Sequence, residues 1–320
     1  MGTAAVTARP VNPNLTAALE DYLARRRALG FGLIEEERHA RRFLEWLWAS
    51  GRPQAGFTAS DVVTWARGDG GLAHSYQRQR LAAVRGLARH CHAIGLDVEV
   101  PAANALRGGR DRRRPHIYTQ DEVDALISCC RKVFTPPLVQ ATMAHIIALL
   151  AVTGMRIGEV LRLSVRDVDP GEGSVLIRAN KHGPDRLVPL HSSTIAALAE
   201  YENSPARLAA GPQPDGPLFV TVKGTGYKRV TIDAYFHRLR DAADFTWNGP
   251  APTLHDLRHT FATRQMIRSY TGDGADPAAT LSLLATWLGH SDPSHTYWYV
   301  EAVPELLALA AHRTTTLTME

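Results

Sequence analysis

The sequence predicts a mainly α protein in two parts: a small, basic, all-helical unit, then a larger α-rich domain with one small antiparallel sheet. Three observations lead there. Apolar residues recur at helical spacing over most of the 320 residues, whereas strand-like runs bounded by turn residues are confined to about 165–190. Positive charge is concentrated in the first 118 residues, which end in a Gly-, Pro- and Arg-rich stretch at 101–115. Neither an internal repeat nor the strand–helix alternation that builds a parallel sheet is present.

Between Leu15 and Trp48 the apolar series includes Leu19, Leu23, Phe43, Leu44 and Leu47, and LGFG at 29–32 divides it into two helices. Thr58–Ala59–Ser60–Asp61 supplies capping residues ahead of Val62, Val63 and Trp65, so a shorter helix follows. A further helix over about 75–94 carries Arg78, Arg80, Arg85 and Arg89 between Tyr76, Leu81, Val84, Leu87 and Ala88. These elements are expected to form a helical domain over 12–100. The segment PAANALRGGRDRRRP has no apolar periodicity and reads as a basic linker, taken over 101–118.

The second domain is expected over 119–320. Thr119–Gln120–Asp121–Glu122 opens a helix ending near Lys132, and 137–152 forms a largely buried one. Gly154 then breaks the chain, and IGEVLRL at 157–163 continues as a new helix with Val160, Leu161 and Leu163 inward. VRDVD, SVLIRA and RLVPL read as short strands joined by turns at DPGEG and HGPD. Helical pattern resumes over 195–201, 232–243, 254–267, 278–288 and 304–311.

The formal charge is only +4, but residues 1–118 hold 18 basic and 11 acidic side chains while 119–320 hold 18 and 21. The first part is therefore +7 and the second −3, which points to an anionic partner for the N-terminal part. Only four of the 36 basic residues are lysines, namely Lys132, Lys181, Lys223 and Lys228. Arginine suits bidentate phosphate contacts, although arginine-rich codon usage accounts equally well for most of them. Arg110, Arg112, Arg113 and Arg114 of the linker, with Arg78, Arg80, Arg85 and Arg89, are the candidate nucleic-acid contacts. Cys91, Cys129 and Cys130 form no CxxC pair and fit neither a zinc ribbon nor a disulfide framework. The most apolar stretch, 143–152, is too short to span a bilayer, and the N-terminus has no apolar leader, so a cytoplasmic protein without membrane association is expected.

One segment carries chemistry on its own. Thr253 is placed to cap a helix with Asp256 as its capping-box partner, which puts His255 in the first turn and Arg258 one turn on along the same face. A histidine and an arginine at the positive end of a helix suit a phosphate. His255 and His259 could instead be a zinc pair, but the metalloprotease pattern requires Glu after the first His, and Asp256 stands there with no evident third ligand.

Four segments in order then resemble one family. They are Thr153–Gly154–Met155–Arg156–Ile157–Gly158–Glu159–Val160–Leu161–Arg162–Leu163, the hairpin NKHGPDRLVPL at 180–190, LHDLRHTFAT at 254–263, and Leu288–Gly289–His290 followed nine residues later by Tyr299. Together, over roughly 119–303, they resemble the tyrosine recombinase (phage integrase) family. The N-terminal part resembles the family's core-binding domain by length, helicity and charge.

The resemblance implies a site of Arg156, Lys181, His255, Arg258, His290 and Tyr299, with Tyr299 as nucleophile. It also implies cutting and rejoining of double-stranded DNA at a specific recombination site, without metal or nucleotide cofactor. The reaction passes through a 3′-phosphotyrosyl bond, usually in a tetramer on two duplexes and in some members with partner recombinases. The segment between Arg264 and Leu288 is longer than in compact members, and TYWYVEAVPEL is similar to recombinases carried by transposable elements. The apolar tail at 304–311 is expected to pack on its own domain or on a neighbouring subunit.

The residue types suit those roles. Two guanidiniums stabilise the charge that grows on a pentavalent phosphorus. Lysine, rare in this chain, can release a proton where arginine cannot. Tyr297 competes with Tyr299, and the resemblance favours Tyr299, whose nine-residue step from His290 matches the family. A relaxing topoisomerase of similar chemistry and a non-catalytic DNA-binding accessory protein are the other readings, and six chemically competent positions speak against the latter.

Overall fold

The structure is a computed structural model that describes residues 13–51, 56–106, 114–178, 185–272 and 276–289. The chain divides into two compact units, Met1–Asp111 and Arg112–Glu320. Among the described residues no helix is long and apolar enough to cross a membrane.

In the first unit α1 (Pro13–Ala28) and α2 (Ile34–Ala49) are separated at the expected turn, and α3 (Ala59–Arg67) and α4 (His74–Ala93) follow. Thr58 and Asp61 form a reciprocal capping box that starts α3. The apolar faces converge on Phe43, whose ring packs edge-on against Phe57 at 5.0 Å and Trp65 at 5.4 Å. One feature is absent from the sequence reading: β1 (Gly56–Phe57) pairs in parallel with β2 (Asp97–Val98). Gly56 permits it, because a Cβ there would sit 1.6 Å from the Asp97 carbonyl oxygen.

The second unit is built on α6 (Pro137–Thr153), whose residues from Leu138 to Thr153 supply nine buried side chains. Around it pack α5 (Gln120–Val133), α8 (Ser192–Glu202), α10 (Arg229–Ala242) and α11 (Leu254–Thr271), with α12 (Pro277–Leu288) lying against α11. A short α9 (Pro205–Leu208) follows α8. The antiparallel sheet has the order β3-β4-β5, from β3 (Val168–Asp169), β4 (Ser174–Ile177) and β5 (Arg186–Pro189), with Val175 opposite both Val168 and Val188.

Two expectations change. The helix expected over 157–163 is a single turn, α7 (Ile157–Val160), with Val160 and Leu163 buried but Leu161 only half-buried. The strand expected over 165–169 begins as a 3-10 turn at Val165–Asp167. Ser164 donates to Asp167 from both its backbone N–H and its hydroxyl, at 2.8 Å each, and the other Asp167 oxygen accepts from Arg178 at 2.9 Å. That closed turn leaves two residues for the strand. The packed chain also extends into the expected linker from both sides: Leu106 is buried in the first unit's core and Tyr118 in the second's.

The three cysteines are all buried and unpaired. Burial pushes the Cys91 thiol up to about 11 and the Cys130 thiol up to about 12, so neither is a ready thiolate.

Gly154 ends α6 in the left-handed region at φ 64°, where a Cβ would lie 2.5 Å from the Phe261 ring. Gly154→Ala is expected to destabilise the second unit by roughly 2–5 kcal/mol, from backbone strain plus overpacking. Urea unfolding of the full chain, followed by fluorescence, measures it.

Candidate active site

The turn at Gly154 reverses the chain at the end of α6 and delivers Arg156 in an extended conformation at the start of α7. Across from it, the capping box expected at the start of α11 is present. Thr253 donates to the Asp256 carboxylate from its N–H at 2.7 Å and from its hydroxyl at 2.9 Å. Asp256 is therefore committed to starting the helix, which sets His255 in the first turn and Arg258 in the next.

The end of α12 is where these residues meet. A helix terminus leaves its last carbonyls without helical donors. Here three guanidiniums supply them: Arg186 donates to the Trp287 carbonyl at 2.8 Å, Arg258 to Leu288 at 2.7 Å and Arg156 to Gly289 at 3.3 Å. Arg258 also donates to the Gly154 carbonyl at 2.8 Å, and the Trp287 indole donates to the Thr153 carbonyl at 2.8 Å. The ends of α6 and α12 are thus stitched together through Arg258, which is only 1% exposed. Arg156 differs, because 43% of its side chain faces solvent and part of its guanidinium is open to a ligand.

Glu159 is wired directly to two of these arginines, Arg156 and Arg186. Its oxygens accept from the Arg156 backbone N–H at 2.8 Å, from the Arg156 guanidinium at 3.1 Å, and from both ends of the Arg186 fork at 3.1 and 2.8 Å. Burial alone would raise this carboxyl. The hydrogen bonds from Arg186 and the Arg156 N–H, with the two guanidinium charges, outweigh it and hold the group below the usual carboxylate range.

His255 is exposed to solvent along part of its side chain, yet protein atoms crowd its ring. That crowding, then the Arg258 charge and more weakly those of Arg156 and Arg229, moves it below the ordinary histidine value despite the opposing pull of Asp256. The ring is neutral near pH 7 and able to take a proton. Its neighbour His259 stands edge-on at 4.7 Å, and among the described residues no three His, Cys, Asp or Glu side chains group as metal ligands.

Of the six positions expected from sequence, the structure brings together Arg156, His255 and Arg258; Lys181, His290 and Tyr299 lie outside the described residues. Sequence reasoning missed Glu159, Arg186 and Arg229. Glu159 had a signal in its three-residue step from Arg156, the capping-box spacing, whereas nothing local marks Arg186.

Of the expected nucleic-acid contacts in the first unit, Arg78 and Arg89 are exposed. Arg85 shares their face by helical periodicity, but it donates to the Pro101 carbonyl at 2.8 Å. Arg80 lies on the other face, 3.9 Å over the Trp65 ring, half-buried. Arg114 is exposed, and Arg110, Arg112 and Arg113 fall outside the described residues.

A mostly helical domain thus gathers three arginines at the end of α12 with a histidine nearby, a set of charges and donors suited to an anion. The phage integrase family model matches residues 117–305. The chain belongs to this family, the tyrosine recombinases, which break and rejoin DNA. An integrase/recombinase of Sinorhizobium fredii is 32% identical over 306 residues, covering 92% of this chain and 95% of that protein. The tyrosine recombinase XerC of Mesorhizobium japonicum is 31% identical, covering 91% and 92%. Among solved structures, the Tn1549 transposon integrase in complex with transposon right-end DNA superposes with a TM-score of 0.69 at 17% identity, over 93% of this chain and 99% of that one. A lambda integrase tetramer bound to a Holliday junction gives 0.61 at 19% identity, over 89% and 76%. These last two likenesses establish the fold.

Two titrations follow from the site's charges. His255 is expected to titrate below about 6.5 in an NMR experiment on the full chain; a value at or above it would mean that solvent, rather than the enclosing protein and Arg258, governs the ring. Because the Glu159 carboxyl is depressed, its stabilisation is present above about 4.3 and lost as pH falls through the depressed value. Glu159→Gln is expected to flatten the acid limb of thermal stability in that window.

Proposed function

We propose that the chain is a site-specific recombinase that cleaves DNA with Tyr299 and holds the scissile phosphate on the exposed Arg156, backed by the charge of the buried Arg258. The observation that carries this reading is the convergence of Arg156 and Arg258 on the end of α12, with His255 close enough to feel both charges. Gly289 accepts from Arg156, and the next residue in the chain is His290, with Tyr299 nine further on. The two guanidiniums stabilise the extra negative charge of the pentavalent transition state. A tyrosine hydroxyl titrates near ~10 and must lose its proton as it attacks, for which His255, neutral near pH 7, is the base. The Tyr299 oxygen bonds to phosphorus as the bond to the 5′ oxygen breaks, and Lys181 protonates that leaving oxygen. His290 donates to a phosphate oxygen. The phosphotyrosyl ester retains the energy of the broken bond, so the reverse attack by a 5′-hydroxyl rejoins the strand without ATP.

The basic first unit and the linker take the duplex backbone, with Arg78, Arg89 and Arg114 exposed for phosphate contact. Arg80 and Arg85 serve the fold first, since one stacks on Trp65 and the other ties α4 to the segment after β2. We assign the partner as double-stranded DNA with a specific site, bound by a tetramer of this chain. The work is movement of a DNA element, by integration, excision or transposition, in the cytoplasm and with no cofactor. The named activity of the relatives and the transposon and junction complexes among the structural neighbours support this assignment.

The test begins with a pool of nicked duplexes of randomised sequence, from which the wild-type chain is allowed to select its site as an SDS-stable adduct in EDTA. On the selected duplex, Tyr299→Phe is expected to bind normally and trap no adduct, whereas Tyr297→Phe traps it; the opposite pattern would transfer the nucleophile's role to Tyr297. Neutralising Arg112, Arg113 and Arg114 is expected to weaken binding similarly across sequences and to lower the salt slope by up to about three. An unchanged slope would place the linker off the DNA.

A further inference from the structure

Arg156, proposed to hold a phosphate, begins in contact with a carboxylate. Glu159 sits three residues on, its side chain only 8% exposed, and its oxygen lies 3.1 Å from an Arg156 nitrogen. A buried carboxylate with one guanidinium in reach would take the whole fork, because a bidentate pair is its strongest available partner. A guanidinium locked in that way presents less charge and fewer donors to DNA.

Arg186 prevents this. It comes from β5, distant in sequence, and its side chain is only 13% exposed. Its two terminal nitrogens take both Glu159 oxygens, and its Nε donates to the Trp287 carbonyl. All three of its nitrogens are therefore engaged within the protein. Gly289 makes room for it: a Cβ there would lie 2.8 Å from one Arg186 nitrogen and 3.0 Å from its central carbon, so the guanidinium rests directly on the glycine backbone. The same glycine's carbonyl accepts from Arg156.

We infer that Arg186 is a positioning residue for strand cleavage: by occupying both oxygens of Glu159 and capping the end of α12, it keeps the Arg156 fork aimed and available to the scissile phosphate. It touches no substrate. Its effect rests on the phosphate-holding role proposed for Arg156, and it links three chain segments through one guanidinium: α7, the end of α12, and the strand that follows Lys181 in the chain.

The experiment uses the full chain and the duplex selected by wild type from the randomised nicked pool, with single-turnover cleavage and DNA affinity measured separately. Arg186→Met is expected to slow cleavage about a hundredfold, the scale of a misplaced catalytic group, while affinity moves by less than about threefold. Adding Glu159→Gln removes the carboxylate charge that would capture Arg156, and the double variant is expected to recover at least about tenfold in rate. Arg186→Lys, with a charge but no fork, is expected to fall between wild type and Arg186→Met. Where the methionine variant does not fold, the same rescue by Glu159→Gln is read on the lysine variant. Cleavage at the wild-type rate without the Arg186 fork would overturn the inference. So would a slow variant that Glu159→Gln does not rescue, since that is the signature of lost packing alone. Failure of wild type itself to trap an adduct would instead remove the reading on which the inference stands.

Discussion

The C-terminal end of α12 is the constraint on which the rest of the site depends. Its last carbonyls have no helical donors, and burying them bare would be costly. Arginine suits the task because one planar group can donate in several directions while staying charged. Arg258 uses this property most fully, donating to Gly154 and Leu288 from a position almost without solvent. In joining the end of α6 to the end of α12 it relates the Arg156 segment to Gly289. A residue suited to phosphate thus also determines the backbone geometry around the phosphate's expected place.

Charge balance is the second theme. Three guanidiniums at one helix end would repel one another if left uncompensated. The negative end of the α12 dipole and the Glu159 carboxylate reduce that repulsion. The compensation is directional, because Glu159 is shared unequally: Arg186 takes both oxygens and Arg156 one. Excess positive charge therefore remains on the more exposed Arg156. Burial first, and the neighbouring Arg258 and Arg156 charges second, favour the uncharged ring of His255.

Much of the fold could be read locally. Capping boxes at Thr58, Thr119 and Thr253, together with apolar periodicity, place the starts of α3, α5 and α11, because the groups involved are three residues apart and depend on nothing distant. The short elements were harder. The 157–163 segment has helical composition but makes only one turn, and 165–169 closes on Ser164 and Asp167 before it becomes strand. In both places a side-chain hydrogen bond or a packing demand competes with weak local propensity. The β1–β2 pair escaped entirely, since two residues per strand leave no alternation to read and the pairing spans about forty residues of chain.

The sequence by itself determined the family, the order of the chemistry-bearing segments and the local frames of His255 and Arg258, since each rests on residue identity and short spacing. Tertiary structure decided which arginines are free. Arg80 and Arg85 look like DNA contacts in the sequence and are engaged by Trp65 and Pro101. Arg186 looks like an ordinary strand residue and becomes the partner of Glu159 and of the α12 terminus, 101 residues away. The physical reason is that a charged side chain's role depends on what lies within a few ångströms of its tip, and in a folded chain those groups come from elements that sequence spacing does not reveal.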